Sequence, residues 1–347
     1  DKKDISGIYK RETEKPIPNR LLRSIARVNK ENDKVIGIEQ LSSDEINELK
    51  KAIKYYDKAI KINSNNSNQF YYRGFAYKKL ENYINALPNF EKALSIDPNN
   101  TTAHFELAIS QAKLKNFEKA FENFKKLIGI NPNNPEFYFQ YGIALFLSEN
   151  YEDAISCLKI AVSLKTDFAA AYLILGDALR ALNKNQEAIE NYKKSISYDN
   201  KNELAYYNLG HLLVECKNFK EALFNLEKVI TLNPKFDQAY SGIGVVYINL
   251  GQQELAYEKL SKAIELNSLD PTYYLNRGNA LSNLRRFNES LLDYDKAIEL
   301  KSDFAQAYCN RGYVLLNYLF KPEAAKILFD VAIALEPSLT IAFVNRA

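Results

Sequence analysis

Among its 347 residues the chain has no methionine, no tryptophan, only three cysteines and only two histidines. Cys157, Cys216 and Cys309 are too few and too far apart for a disulfide framework, and two histidines do not complete a zinc site around them. These scarcities imply a reducing compartment and no metal. No apolar run approaches the roughly 18 residues of a membrane span, and the N-terminal DKKDISGIYK lacks the apolar core of a secretory signal. The expectation is a cytoplasmic protein without membrane contact. With no methionine, Asp1 is not a natural start unless processing made it, so the chain reads as a piece of something longer. Charge is nearly balanced at +3, and residues 1–35 hold ten Lys and Arg against six Asp and Glu, which leaves the rest near −1. Those cations are mixed with acids, so a nucleic-acid partner, which would be gripped through phosphate contacts, is not expected.

What the chain does have is a repeat, the first thing to look for in a sequence of this length. Gly74, Ala108, Gly142, Gly176, Gly210, Gly244, Gly278 and Gly312 follow one another at intervals of 34 residues. Twelve residues after each lies a small residue, from Ala86 to Ser290, with Ala325 one residue late. Four further on is a bulky one: Phe90, Phe124, Leu158, Tyr192, Leu226, Leu260, Tyr294 and Phe329. Asp97-Pro98-Asn99-Asn100 and Asn131-Pro132-Asn133-Asn134 end one unit and open the next. Within a unit the apolar residues fall three and four apart, so each unit is a pair of amphipathic helices, and the whole an all-α solenoid.

These residues resemble the tetratricopeptide repeat family. Its 34-residue pattern has an aromatic at position 4, Leu-Gly at 7 and 8, Tyr at 11, Ala at 20 and 27, an aromatic at 24 and Pro at 32. Residues 67–100 match it with Phe70, Gly74, Tyr77, Ala86, Phe90, Ala93 and Pro98. The resemblance covers eight full repeats over 67–339, preceded by the helix of an incomplete repeat at 42–66 and followed by a started one at 340–347. It implies a right-handed superhelix of eight to nine helix-turn-helix units. The pattern lacks Trp throughout, carries Arg73, Arg277 and Arg311 where Leu is usual at position 7, and has an extra residue near Lys321-Pro322; these departures are expected to touch local packing.

At 100° per residue, positions 4, 7, 8 and 11 of each first helix share one stripe, and 2, 5, 6, 9, 12 and 13 cluster opposite. The first stripe is core. The family holds extended peptides or helical segments of partners against the second, on the concave face. In the first four repeats that stripe carries Tyr71, Tyr72, Phe75, Phe105, Ile109, Phe139, Ile143, Phe146, Leu147, Leu173 and Ile174. An apolar stripe opposite the core marks either a binding surface or burial between neighbouring first helices. In the later repeats it carries Asn208, His211, Asn276, Asn279, Asn310 and, at the end, Asn345. An amide offers both donor and acceptor and pairs with any peptide backbone; the alternative is solvated filler in an Asn-rich chain. The ladder is similar to the one lining O-linked N-acetylglucosamine transferases, although Gly242 interrupts it and no transferase domain is present. The carboxylate clamp that binds chaperone tails is not expected, because Leu275, Ile341 and Asn345 stand where it needs cations.

His104, at position 4, reads as packing and Cys309 as a small hydrophobe. No phosphate loop or paired-acid motif interrupts the register, so neither catalysis nor a cofactor is expected. Residues 1–41 form a basic leader whose stretch NRLLRSIARVNK, 19–30, is amphipathic and suited to docking, in cis or on a partner. The resulting expectation is a protein-protein interaction scaffold within a multi-protein assembly. Its alternatives are the substrate-recruiting arm of a larger, glycosyltransferase-like enzyme and a structural component of a ciliary or cytoskeletal assembly.

Overall fold

The computed structural model describes residues 41–346, among which there are eighteen α-helices and no strand. The basic leader, apart from Leu41, and Ala347 lie outside the described residues. The chain divides into two compact units, one ending at Asn200 and one beginning at Lys201.

In the first unit α1, Ser43–Ile62, precedes four helix hairpins. They pair α2 Ser67–Lys79 with α3 Tyr83–Ile96, α4 Thr101–Lys113 with α5 Phe117–Ile130, α6 Pro135–Leu147 with α7 Tyr151–Leu164, and α8 Ala169–Ala181 with α9 Asn185–Tyr198. The second unit pairs α10 Glu203–Glu215 with α11 Phe219–Leu232, α12 Asp237–Asn249 with α13 Gln253–Leu266, α14 Pro271–Asn283 with α15 Phe287–Leu300, and α16 Ala305–Asn317 with α17 Pro322–Leu335. A single helix, α18 Thr340–Arg346, closes it. Within each unit a first helix packs on its own second helix, on the second helix of the preceding hairpin and on the preceding first helix.

Local chemistry sets these boundaries. Asn100 Oδ1 accepts from Ala103 N at 2.9 Å and Asn202 Oδ1 from Ala205 N at 3.1 Å, each satisfying a backbone donor that the first turn of a helix leaves free. Pro135 and Pro271 occupy the start of α6 and α14, where their missing N–H is no loss. Each hairpin turns through one residue in the left-handed region, among them Lys115, Glu149 and Lys217 at φ near +60°, with glycine there only at Gly251.

The core follows the repeat. Ala86, Phe90, Ala120, Phe124, Leu158, Ala188 and Tyr192 are fully buried in the first unit, and Leu226, Leu260, Tyr294 and Phe329 almost completely in the second. Position 8 is glycine in seven of the eight repeats, with Ala108 the exception, and in those seven the ring or branched chain of the second helix lies directly over it. A Cβ on Gly176 would sit 2.5 Å from Tyr192 Cε1, and one on Gly278 2.7 Å from Tyr294 Cε1.

Two further positions are as deeply buried as the expected stripe. Within the units, position 3 (Ala103, Ala171, Ala239, Ala307) and position 10 (Ala144, Ala178, Ala280) face the preceding hairpin and have no accessible surface; Ala76, Ala205 and Leu212 are equally buried. They lie on the flank of the helix, about 80–110° from the centre of the 4-7-8-11 stripe. Position 4, by contrast, is only half-buried at Tyr138, Tyr240 and His104, and His104 bonds the Pro98 carbonyl at 3.0 Å through Nε2.

Candidate peptide-binding surface

The stripe opposite the core divides by depth. In the first unit Phe75, Phe139, Leu173 and Ile174, expected in the groove, are instead 4%, 6%, 2% and 7% exposed. The reason is angular: position 5 leans toward the next first helix rather than into the open, and meets its beginning. Phe105 lies 5.3 Å from Phe137 between ring centroids and Phe139 4.6 Å from Phe168. Phe75 is covered from its own helix, because Tyr71 stacks on it at 6.1 Å.

The remainder keeps a free side. Tyr71, Tyr72, Phe105, Ile109, Ile143 and Phe146 are half-buried and Leu147 is exposed. Tyr72 is braced from beneath, stacked on the fully buried Tyr56 at 6.0 Å and meeting Tyr71 edge-on at 5.1 Å. Burial, aided by Glu106 and Tyr72, pushes the Tyr71 phenol far above its ordinary range. This face therefore offers aromatic and aliphatic edges braced by the packing beneath them, so that little side-chain entropy of its own is left to lose on docking.

The amides of the second unit are less free than their sequence pattern implies. Gln306 Nε2 donates to Asn310 Oδ1 at 2.6 Å, Asn310 Nδ2 donates to Asn279 Oδ1 at 2.8 Å, and Tyr294 Oη donates to the same Asn279 oxygen at 2.9 Å. Asn279 is thus the acceptor that satisfies a buried tyrosine hydroxyl. Tyr192 makes the same bond to Asp177 at 2.7 Å in the first unit. Asn276 is half-buried and, among the described residues, makes no side-chain hydrogen bond. Asn345 turns toward the Cys309 thiol, and its Nδ2 is buried without an acceptor. Asn208 is half-buried, and His211 Nδ1 lies 3.3 Å from Glu215 Oε1. Cys309 is 1% exposed, and burial raises its thiol pKa.

Two sets of cations take roles that their sequence positions alone do not show. Lys78 and Lys79, at positions 12 and 13, stand on the apolar face of the first unit, and Lys78 pairs with Glu106 of α4. Arg277, read as a packing departure, grips Asp293 with two bonds of 2.8 Å and reaches Ser261 at 3.3 Å in the preceding hairpin. Arg73, Arg311 and Arg346 repeat that reach on Asp57, Asp295 and Asp330. Arginine at position 7 therefore ties one hairpin to the one before it. Among the described residues no helix is long and apolar enough to cross a membrane.

Family models described as tetratricopeptide repeat match residues 42–66 and 237–268, 67–100 and 204–236, and 112–178, and one described as TPR repeat matches 176–215 and 286–317. No curated protein sequence matches the chain significantly. Among solved structures it is similar to the APC/C hetero-tetramer Cut9-Hcn1, at 18% identity and TM-score 0.57, over 86% of this chain and 58% of that one. It is also similar to the C-terminal part of a TPR repeat-containing protein from Cytophaga hutchinsonii, at 20% identity and TM-score 0.56, over 70% of this chain and 99% of that one. PilF of Pseudomonas aeruginosa aligns at 21% identity and TM-score 0.53, over 60% of this chain and 95% of that one. At these identities the likeness is one of fold.

Proposed function

The chain belongs to the tetratricopeptide repeat family, and from that premise we propose that it is a non-enzymatic scaffold that holds an extended or helical peptide segment of a partner protein on its first-helix face. The observation that carries the reading is the row of half-buried apolar side chains opposite the core of the first unit, Tyr72, Ile109, Ile143 and Phe146, ending at Leu147, which is 47% exposed. Apolar edges held rigid by packing beneath them serve as anchors for a partner at little cost in the free protein.

The amides of the second unit have a narrower role. Asn279 and Asn310 are tied to each other and Asn345 is turned toward Cys309, so the backbone-gripping function rests mainly on Asn276, with Asn208 and His211 on the same stripe two repeats earlier. The protein would act through partners of its own, as a member of a multi-protein assembly, with binding energy supplied by the apolar row.

The test is capture from a synthetic pool of randomised peptides by the full chain. Leu147→Glu places a charge on the exposed end of the row without touching the core, and should lower capture at least fivefold with thermal unfolding unchanged. Asn276→Ala should lower it less. Capture that is the same for both variants and the parent chain would overturn the reading.

A further inference from the structure

At the end of α2 two lysines follow each other on the apolar face. They lie three and four residues after Phe75, so both ammonium groups come down on its ring, 5.5 Å and 5.3 Å from the centroid. Among the described residues one carboxylate reaches this pair. Glu106, itself 8% exposed, takes Lys78, and the two form an ion pair that is largely withdrawn from water. Lys79 has no hydrogen-bond or ion-pair partner among the described residues. The cluster therefore carries one uncompensated positive charge, half-buried on an aromatic floor beside Tyr71.

Such an arrangement is unfavourable in the free protein. Burial first, and then the Lys78 charge, hold the Lys79 ammonium down to about 8, with Glu106 opposing them. A buried ion is stabilised by a counterion that also hydrogen-bonds to it, and a charge left without one is costly. Other lysines at helix ends relieve that cost by reaching water. Lys113, at the same position of the next repeat, is exposed.

We propose that Lys79, set on Phe75 and flanked by the Lys78–Glu106 pair, is a subsite for a carboxylate of the bound peptide. The inference rests on the peptide-scaffold reading and adds to it that the segment lying over α2 carries an acid next to its apolar anchors. Charge complementarity at this place would fix the direction and register of the segment rather than supply most of its affinity. The position differs from the clamp expected of chaperone-tail binders, because both cations come from one helix end.

The experiment uses the full chain and a randomised pool of synthetic peptides, half with amidated and half with free C-termini. Captured peptides should be enriched in Asp or Glu at one place relative to their apolar residues. Lys79→Met keeps the stem over Phe75 and removes the charge, so it should abolish that enrichment; Lys92→Met, on the exposed side of α3, should not. The enrichment should appear in both halves, which places the carboxylate on a side chain rather than at the terminus. A captured acidic peptide should bind about tenfold more weakly at pH 9 than at pH 7, because lysine regains an ordinary pKa near 10.4 in the pair. That dependence should vanish in Lys79→Met. Peptides captured without acidic enrichment, or with an enrichment that survives Lys79→Met, would overturn the subsite and leave the scaffold standing. A pool from which nothing is captured would overturn both.

Discussion

Replacing Arg277 by leucine, the residue usual at position 7 of the family, should destabilise the second unit rather than idealise it. Asp293 is 5% exposed and receives two bonds of 2.8 Å from the guanidinium, which also lies 5.7 Å from the Tyr274 ring and reaches Ser261 in the preceding hairpin. Without the arginine the carboxylate is buried and unpaired. Breaking one side of a fully buried pair costs about 3–5 kcal/mol; Arg277 keeps about a fifth of its side chain exposed, so about 2–3 kcal/mol is expected here. The same unit contains the compensated alternative. In the α10–α11 hairpin Leu209 stands at position 7 and Asn225 at the place of Asp293, and Asn225 Nδ2 donates to Glu221 O at 2.8 Å on its own helix. Arg277→Leu combined with Asp293→Asn should therefore recover most of the loss. Because solenoids unfold as coupled repeats, the assay is hydrogen exchange of α14 and α15 peptides across a urea series, alongside global unfolding. A loss below about 1 kcal/mol for the single variant, or a double variant no more stable than the single, would refute the assignment of Arg277 as a clamp.

Gly176→Ala should cost about 1–3 kcal/mol in urea unfolding, because the added methyl meets the Tyr192 ring at 2.5 Å and one of the two helices must move. Lys217→Gly should raise stability by about 0.5–1 kcal/mol, since Lys217 sits at φ +59° and a side chain there is strained by about that amount once glycine's own entropy is subtracted. The α1 start should loosen in acid. Ser42 N–H and Oγ both bond Glu45 at 2.8 Å and hold its carboxyl below the ordinary value. A depressed carboxylate contributes stability above its unfolded value and loses it as pH falls through the folded one. Protection of the first turn of α1 should therefore drop below about pH 4; Glu45→Gln should remove that dependence, whereas Ser42→Ala, which keeps the backbone N–H bond to Glu45, should only weaken it at a cost near 1 kcal/mol.

The surface itself was only partly legible. Tyr72, Ile109, Ile143, Phe146 and Leu147 could be placed on the face opposite the core by counting residues, and they are there with a free side. Phe139 and Leu173 belong to the same arc by that count, yet they are buried, because a helical wheel has no knowledge of the neighbouring helix into which position 5 leans; Phe75, at position 9, is buried under Tyr71 and against Leu107 of the next repeat. Asn279 and Asn310 have the right spacing for a ladder, but Tyr294 takes Asn279 across its own hairpin, Gln306 takes Asn310 from one turn away, and the bond between the two amides forms only once hairpins are stacked. Lys79 was visible as a residue of that face; its lack of a counterion among the described residues was not, since the acid that acts on it, Glu106, lies in the next repeat and is taken by Lys78.

Hairpin architecture was written in the 34-residue period, because the contacts that enforce it are local. Glycine or alanine at position 8, a small residue at 20 and a bulky one at 24 meet across a single turn, and no other arrangement of so short a connection buries all three. Positions 3 and 10, the depth of position 5 and the arginine ties at position 7 belong to the stacking of one hairpin on another. That geometry is a property of neighbours in space, and it decides which charges and amides are left for a partner.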